Sequence, residues 1–430
     1  MCDDRRIREY HPFLTNSLNA LTDESFYDCI GEFVPMRFEL NIDPKMIQGL
    51  CLNCVSSRGV FFILIIVLVA GCTDVPVELP SNQETLAAMR QTNRYFMDKW
   101  PDTGAPIEGR KTWPSHIWTR GVYYEGLMAL NAVDPQDHYL EYGASWGEAH
   151  DWSFRDGITT RNADNQCAGQ TYIDLYELGH PKAIIDSVKA SIDSMMVTDK
   201  IDDWDWIDAI QMAMPVFSKL GRIYEDSSYF ERMYDMYAFS KYEEGGGLYN
   251  KEDGLWWRDK DYVPPYTEPN GEDCYWSRGN GWVVAALVKV LEDIPEDEPH
   301  RDEYLADLKA MLAALIKVQR EDGFWNASLH DPRNYGGPEA TGTSLFVYGM
   351  AWGINNGVVD SATYYQPMAR AWDALLTESV HANGFLGYVQ STGKEPSTGQ
   401  PVTYDKVPDF EDYGLGCFLL AGSEVLKLNR

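Results

Sequence analysis

The sequence is short of positive charge: 36 lysines and arginines stand against 66 aspartates and glutamates, a formal net charge of −30. Binding nucleic acid requires cations that neutralise phosphates, so nucleic acid is not an expected partner. Adhesion to anionic lipid through a basic patch is disfavoured for the same reason. An anionic substrate would need a local cationic pocket to overcome this field. A membrane-spanning run is also missing from the apolar stretch Val60–Gly71, "VFFILIIVLVAG": its twelve residues are too few to cross a bilayer comfortably. The eight cysteines form no obvious framework. Cys51 and Cys54 lack the second pair or the histidines of a zinc site. Cys167, Cys274 and Cys417 are expected to be buried free thiols. There is no P-loop, dinucleotide fingerprint or H-E-x-x-H motif.

The short apolar run suits a signal peptide, with Arg58 supplying the positive charge before it. Its ending, "LVAGC", matches a bacterial lipoprotein box, which makes Cys72 the expected lipidation site. The expected location is therefore the bacterial cell envelope, with membrane attachment only through that lipid. The run starts late for a signal, and Met46 is a more natural beginning. Residues 1–45 are accordingly read as an upstream extension, 46–72 as the signal segment and 73–82 as a linker. Residues 83–430 are read as one domain.

Aromatic residues are abundant, at 13% with 14 Trp and 26 Tyr. They suit a cleft that stacks on sugar faces and, equally, a well-packed helical core. Helical periodicity dominates after the linker. Helices are predicted at roughly 83–99, 120–132, 136–150, 165–178, 181–197, 207–221, 227–243, 279–293, 300–319, 342–355, 361–378 and 413–427. Short hairpins are expected near "GGGLYN", "GLWWRD" and "NGFLGYV". The helices alternate between an amphipathic, charged type and a short type that is apolar on most sides. Helices of the second type are expected to be buried. Six of each, alternating, predict an all-α fold, an (α/α)6 barrel with an inner ring inside an outer one.

In such a barrel the inner helices run parallel, and the loops that lead into them meet at one end. Those loops read "PSHIWTRG", "TTRNADNQCAG", "DDWDWIDA", "EDCYWSRGNGW", "GPEATGTS" and "PDFEDYG". They place Trp118, Arg120, Arg161, Asp164, Trp206, Asp208, Trp276, Arg278, Trp282 and Thr341 around a common mouth. In "KIDDWDWIDAIQMAMP", Asp202, Asp203 and Asp205 read as a hydrated run before a helix. Asp208 is set directly against Ile207, Ala209 and Ile210, where desolvation would help it carry a proton. Pro215 predicts a bend in the same helix. Asp164 is a second carboxylate at a helix start. Arg278 precedes a buried helix and is expected either to pair with Asp208 or Asp164 or to bind a substrate carboxylate. Trp276 and Trp282 either stack on a sugar or belong to the core. The segment "LWWRDKDY" adds Trp257 and Arg258, and with Arg120, Arg161 and His330 it offers the cationic pocket an anionic substrate would need.

At "YWSRGNGW", "WIDAIQMAMPVF", "TRNADNQCAGQTYIDLY" and "GTSLFVYGMAWGI", residues 83–427 resemble the unsaturated glycuronyl hydrolases, above all unsaturated rhamnogalacturonyl hydrolases of glycoside hydrolase family 105, related to family 88. The resemblance implies an (α/α)6 barrel and removal of a 4,5-unsaturated uronic acid from the non-reducing end of lyase-generated oligosaccharides. It implies Asp208 as proton donor, Asp164 as its partner acid, Arg278 and Trp276 as substrate contacts, and Trp206 as an aromatic beside the acid. A histidine common in the family's counterpart of "LWWRDKDY" is absent, with Arg258 nearby; this points to a different uronide or neighbouring sugar. The implied chemistry protonates C4 of an enol ether and adds water at C5, and it requires no metal or organic cofactor. The expected partner is an unsaturated uronyl oligosaccharide, either pectic rhamnogalacturonan or ulvan-type; the acidic composition and Arg258 favour the algal case. A non-catalytic surface glycan-binding lipoprotein is the alternative, and it has no need of the acid pair.

Overall fold

The computed structural model describes residues 76–109 and 111–428. The expected upstream extension 1–45, the signal segment 46–72 and its Cys72 lie outside the described residues. A compact unit begins at Pro76. Part of the expected linker is already tied to it: the backbone N–H of Val77 donates to the Gln366 side chain at 3.0 Å, and its carbonyl accepts from the same amide at 3.2 Å.

The helices start where local chemistry supplies partners for their free N–H groups. Helix α1 (Asn82–Lys99) opens with a capping box, in which Ser81 and Glu84 exchange side-chain and backbone bonds. Then follow α2 (Trp118–Val133), α3 (Asp137–Ala149), α4 (Ala163–Gln166), α5 (Ala168–Glu177), α6 (Asp186–Met196), α7 (Asp208–Tyr224) and α8 (Ser227–Tyr242). A two-stranded antiparallel hairpin, β1 (Tyr249–Asn250) and β2 (Leu255–Trp256), precedes α9 (Ser277–Asp293), α10 (Arg301–Leu315), α11 (Ala340–Asn355), α12 (Ser361–Ala374) and α13 (Tyr413–Leu428). Helix α11 is capped by Glu339, whose carboxylate accepts from the N–H groups of Thr341 at 3.0 Å and Gly342 at 2.7 Å.

Packing follows the alternation in the sequence. Helix α2 lies on α5, α4 and α5 on α7, α7 on α9, α9 on α11, α11 on α13, and α13 back on α2. This closed inner ring is flanked by the amphipathic helices, so the fold is an (α/α)6 barrel. In α9 every residue but Glu292 is buried. The ring closes through glycine: a Cβ on Gly126 of α2 would stand 2.5 Å from the Gly416 carbonyl oxygen of α13. A Cβ on Gly416 would stand 2.1 Å from the carbonyl oxygen of Val122. Only residues without side chains let these two backbones touch. Among the described residues no helix is long and apolar enough to cross a membrane.

The departures from expectation are local. The helix predicted at 165–178 starts at Ala163 and tightens at Cys167, where the Gln170 N–H bonds the Cys167 carbonyl at 3.2 Å. The segment predicted from 181 becomes helical only at Asp186, after a turn in which Ala183 bonds back to His180. Helix α10 ends in a 3-10 turn, Ile316–Val318, and α12 in a π turn, Leu375–Ser379. The stretch "NGFLGYV" contributes a single bridge, Val380 to Leu386. Helix α7 runs through Pro215, as the helix predicted at 207–221 requires. The Gln211 carbonyl, which proline cannot serve, accepts the Gln170 side-chain amide at 2.8 Å.

Gly416→Ala is expected to lower stability by at least about 1–3 kcal/mol, the usual range for overpacking. An unchanged midpoint in urea unfolding would show that α2 and α13 can separate at no cost.

Candidate active site

Asp208 is the first residue of α7. The chain leading to it runs against a second segment: Trp206 forms an antiparallel bridge with Asp259, and the Ile207 N–H donates to the Arg258 carbonyl at 2.9 Å. This pairing lays the Arg258 side chain on Asp208. Its Nε donates to Asp208 Oδ2 at 3.0 Å, and its Nη1 donates to Asp259 Oδ2 at 2.6 Å. All three side chains are largely withdrawn from water, at 19% exposure for Arg258 and 11% for each aspartate. An ion pair in such a setting is strong, because water does little to screen it.

Asp164 is the second residue of α4, at the start of the neighbouring inner segment. Its carboxyl is pushed up to about 7, first by burial and then by the negative charge of Asp208; Arg258 and Arg155 oppose the shift. The two carboxyls therefore influence each other, and near neutral pH the proton is held on Asp164. Burial and a like charge are the means by which proteins keep a carboxylic acid protonated near pH 7.

The other expected site residues divide by what they touch. Trp206 is half-buried beside Asp208. Trp118 is half-buried at the start of α2, edge-on to Trp282 at 6.2 Å and tilted on Tyr413 at 5.3 Å, while Trp282 itself is fully buried. Trp257 stacks on Tyr275 at 5.9 Å, and His330 meets the same tyrosine edge-on at 4.8 Å. Thr341 is buried, its hydroxyl donating to Glu339 at 2.5 Å.

Arg278 makes no ion pair with a described carboxylate. It is fully buried, and it donates to the carbonyls of Gln390 at 2.6 Å and Ser391 at 2.9 Å. Its guanidinium lies 4.5 Å from the Trp276 ring and 5.1 Å from that of Tyr413. Trp276 is buried as well and donates to the Gln390 side chain at 2.9 Å. Arg278 and Trp276 thus hold the loop after α12 onto the barrel. Arg120 is committed to Asp412 at 3.1 Å, with both side chains buried. Arg161 is committed to Asp203, through an Nε bond of 2.9 Å. That contact also separates Asp203 from the hydrated run expected of Asp202, Asp203 and Asp205, since its side chain is only 5% exposed.

Three features escaped sequence reasoning. Asp259 is the second acid on Arg258, and its only signal was its place next to that arginine. Gln390 is the hub of the mouth loop, donating to the carbonyls of Glu395, Pro396 and Thr398. Arg155 acts on Asp164 from a turn whose Asp151, Trp152 and Asp156 all have positive φ. At the opposite end of the inner ring a cavity of about 320 Å³ is lined by Glu125, Asp174, Lys219, Lys289, Glu424 and Lys427, among others. Its three lysines are each spent on an acid of the same lining: Lys289 on Glu125, Lys219 on Asp174 and Lys427 on Glu424.

The chain is similar to known proteins. The profile of Glycosyl Hydrolase Family 88 matches residues 88–429. The chain is 31% identical over 333 residues to an unsaturated 3S-rhamnoglycuronyl hydrolase of Formosa agariphila, covering 73% of this chain and 85% of the relative. It superposes on a glycosyl hydrolase family 88 structure from Bacteroides vulgatus with a TM-score of 0.73 and 30% identity, over 81% of this chain and 99% of the other. A solved structure named as a polysaccharide lyase is also similar, with a TM-score of 0.73 and 31% identity over 81% of this chain and 98% of the other.

The raised Asp164 has a stability consequence with a definite sign. The unfolded chain releases this proton near 3.8, while the fold keeps it to about 7, so stability falls as pH rises between those values. Asp164→Asn should therefore melt above the native protein at about pH 8, with the difference vanishing below about pH 4. A difference of the same size at both pH values would mean that Asp164 titrates normally.

Proposed function

The chain belongs to glycosyl hydrolase family 88, and from that premise we propose an exo-acting hydrolase that removes a 4,5-unsaturated uronic acid from the non-reducing end of an oligosaccharide. The observation that carries this reading is the pair Asp164 and Asp208 at the starts of two neighbouring inner helices, with burial and the charge of Asp208 keeping Asp164 protonated to about pH 7. A glycan-binding protein has no need of such a pair.

Ordinary glycosidases place two carboxyl groups across the scissile bond. An unsaturated uronide offers instead an enol ether, which is hydrolysed by hydration. In the proposed reaction Asp208 delivers a proton to C4, and water adds at C5 while the other carboxylate accepts a proton from it. The resulting hemiketal opens by breaking the C5–O bond of the ring, which leaves a hemiacetal at C1; its collapse breaks the glycosidic C–O bond and releases the shortened oligosaccharide and a keto acid. Water is the only co-reactant, and the carboxyl pair ends with the proton count it began with.

Within this reaction we favour a glucuronyl unit linked to rhamnose over a pectic galacturonyl one. The relative named as an unsaturated 3S-rhamnoglycuronyl hydrolase supports that choice, as does the arginine at position 258. A lipid on Cys72, holding the enzyme in a bacterial envelope, is the matching proposal for its location, supported by "LVAGC".

The test is the ultraviolet absorbance of lyase-generated ulvan and pectin oligosaccharides. A hydrolase of this type makes the unsaturated band decay, whereas a lyase acting on intact polysaccharide makes it grow. Decay is expected, fastest on the ulvan fragments; growth, or no change on either, would overturn the proposal. Asp208→Asn should keep its fold and lose at least about a hundredfold in rate. Because the proton must be held before it can be given, kcat/KM should fall as pH rises through about 7. A profile flat from about pH 6 to 9 would count against this carboxyl pair as the proton source.

A further inference from the structure

A difficulty follows from the geometry. The proposed reaction needs Asp208 protonated, yet Asp208 accepts an Arg258 Nε–H bond at 3.0 Å in an ion pair shielded from water. The same guanidinium is anchored from the other side by Asp259 at 2.6 Å. Asp259 is itself fixed, accepting from the Asp261 N–H at 2.9 Å. Arg258 cannot drift away, because its backbone is held to the segment of Trp206 and Ile207. Its Nη2, on the same edge of the fork as Nε, has no hydrogen-bond partner among the described residues. One edge of the guanidinium is thus half-used by Asp208, in a site whose substrate carries a carboxylate.

The other arginines of this region are placed differently. Arg120 is held by Asp412 and Arg161 by Asp203; Arg278 gives its two Nη groups to loop carbonyls while its buried Nε has no hydrogen-bond partner; Arg155, 3.9 Å from Asp156, acts on Asp164 without a hydrogen bond to it. Arg258 is the arginine that touches the catalytic pair. Planar carboxylates bind arginine through two parallel N–H bonds, and the Nε–Nη2 edge is built for that geometry.

We propose that Arg258 is the receptor for the substrate's carboxylate and is exchanged between it and Asp208: the incoming uronate takes the Nε–Nη2 edge, and Asp208, deprived of its counter-ion, takes up a proton. The inference rests on the hydrolase reading. The step balances within the site. One proton passes from Asp164 to Asp208, and one hydrogen-bonded anion replaces another on Arg258. Asp164 gives up the proton more readily once Asp208 is neutral: burial still favours the acid form, but the negative charge that adds to it is gone. The exchange leaves Asp208 as the acid facing C4 and Asp164 as the carboxylate that accepts a proton from water. Ligands without a carboxylate leave the Asp208–Arg258 pair closed, so the acid is formed only when the right anion arrives. This is binding energy spent on assembling the catalytic state rather than on affinity alone.

The test compares an unsaturated glucuronyl-rhamnose disaccharide with its uronate methyl ester, on native protein, Arg258→Lys and Arg258→Ala. The native protein should prefer the free acid by about thirtyfold or more in kcat/KM, the usual cost of removing one partner of a buried charge pair, with part of the loss in kcat. Arg258→Ala should treat acid and ester alike within about twofold, and Arg258→Lys should keep part of the preference. If Arg258→Ala is too slow to assay, calorimetric binding of the saturated glucuronyl-rhamnose disaccharide decides. Asp208→Asn, which frees Arg258, should bind it more tightly than native protein; Arg258→Ala should bind it more weakly. An undiminished acid preference in Arg258→Ala overturns the inference, as does equal binding by all three proteins. A native protein that consumes neither disaccharide would instead strike the hydrolase reading itself.

Discussion

The geometry of this protein depends on how closely six inner helices can approach around one axis. A ring of helices closes only if each contact is narrow enough, and the last contact must accept whatever gap the others leave. Here that contact is backbone against backbone, where Gly126 of α2 meets Gly416 of α13. Closing the ring brings the starts of α2, α4, α7, α9, α11 and α13 to one mouth. Residues as distant in the chain as Asp164 and Asp208 become neighbours there without any direct bond between them. The outer helices contribute the amphipathic shell that keeps this inner ring dry.

Within the mouth, arginine does two kinds of work. Arg120 and Arg161 each pair with an aspartate, and Arg278 gives its two Nη groups to loop carbonyls. Arg278 shows how far that can go, because it stabilises a loop through carbonyl oxygens alone and stacks on two rings. Arg258 is different, being the one in contact with Asp208 while keeping 19% of its side chain exposed. The excess of acid in the whole chain therefore does not describe the site. What matters there is Arg258, the two acids that compete for it, and Asp164, which feels the charges of Asp208, Arg258 and Arg155.

Much of this was legible in the sequence. Helix starts and stops were set by caps, glycines and prolines, and the alternation of apolar and amphipathic helices carried the barrel topology. Asp164 and Asp208 stood out because each opens a helix of the buried type. The pairing of Arg258 with Asp208 was not legible, since the two are fifty positions apart and joined by a single bridge with no strand pattern around it. The same holds for Arg278, whose partners are backbone carbonyls on an irregular loop with no periodicity to announce them. Asp203 was read as hydrated because its neighbours are polar, yet Arg161 folds over it from forty-two positions away. Sequence patterns report which side of an element faces the core; they carry little about which polar groups meet across it.

The proline in α7 has a mechanical consequence. By leaving the Gln211 carbonyl unserved, Pro215 creates an acceptor that Gln170 fills from α5. Gln170 and Gln211 are further tied to Lys289 and Glu125, whose own contact closes the set. Gln211 lies one helical turn below Asp208, and Gln170 lies six residues beyond Asp164. Helix α5, which continues from the short helix carrying Asp164, is thus bolted to α7, which carries Asp208, just beneath the carboxyl groups. Their separation is set by a jig inside the barrel wall, so whatever happens in the loops above, the distance between the acids stays gauged from below.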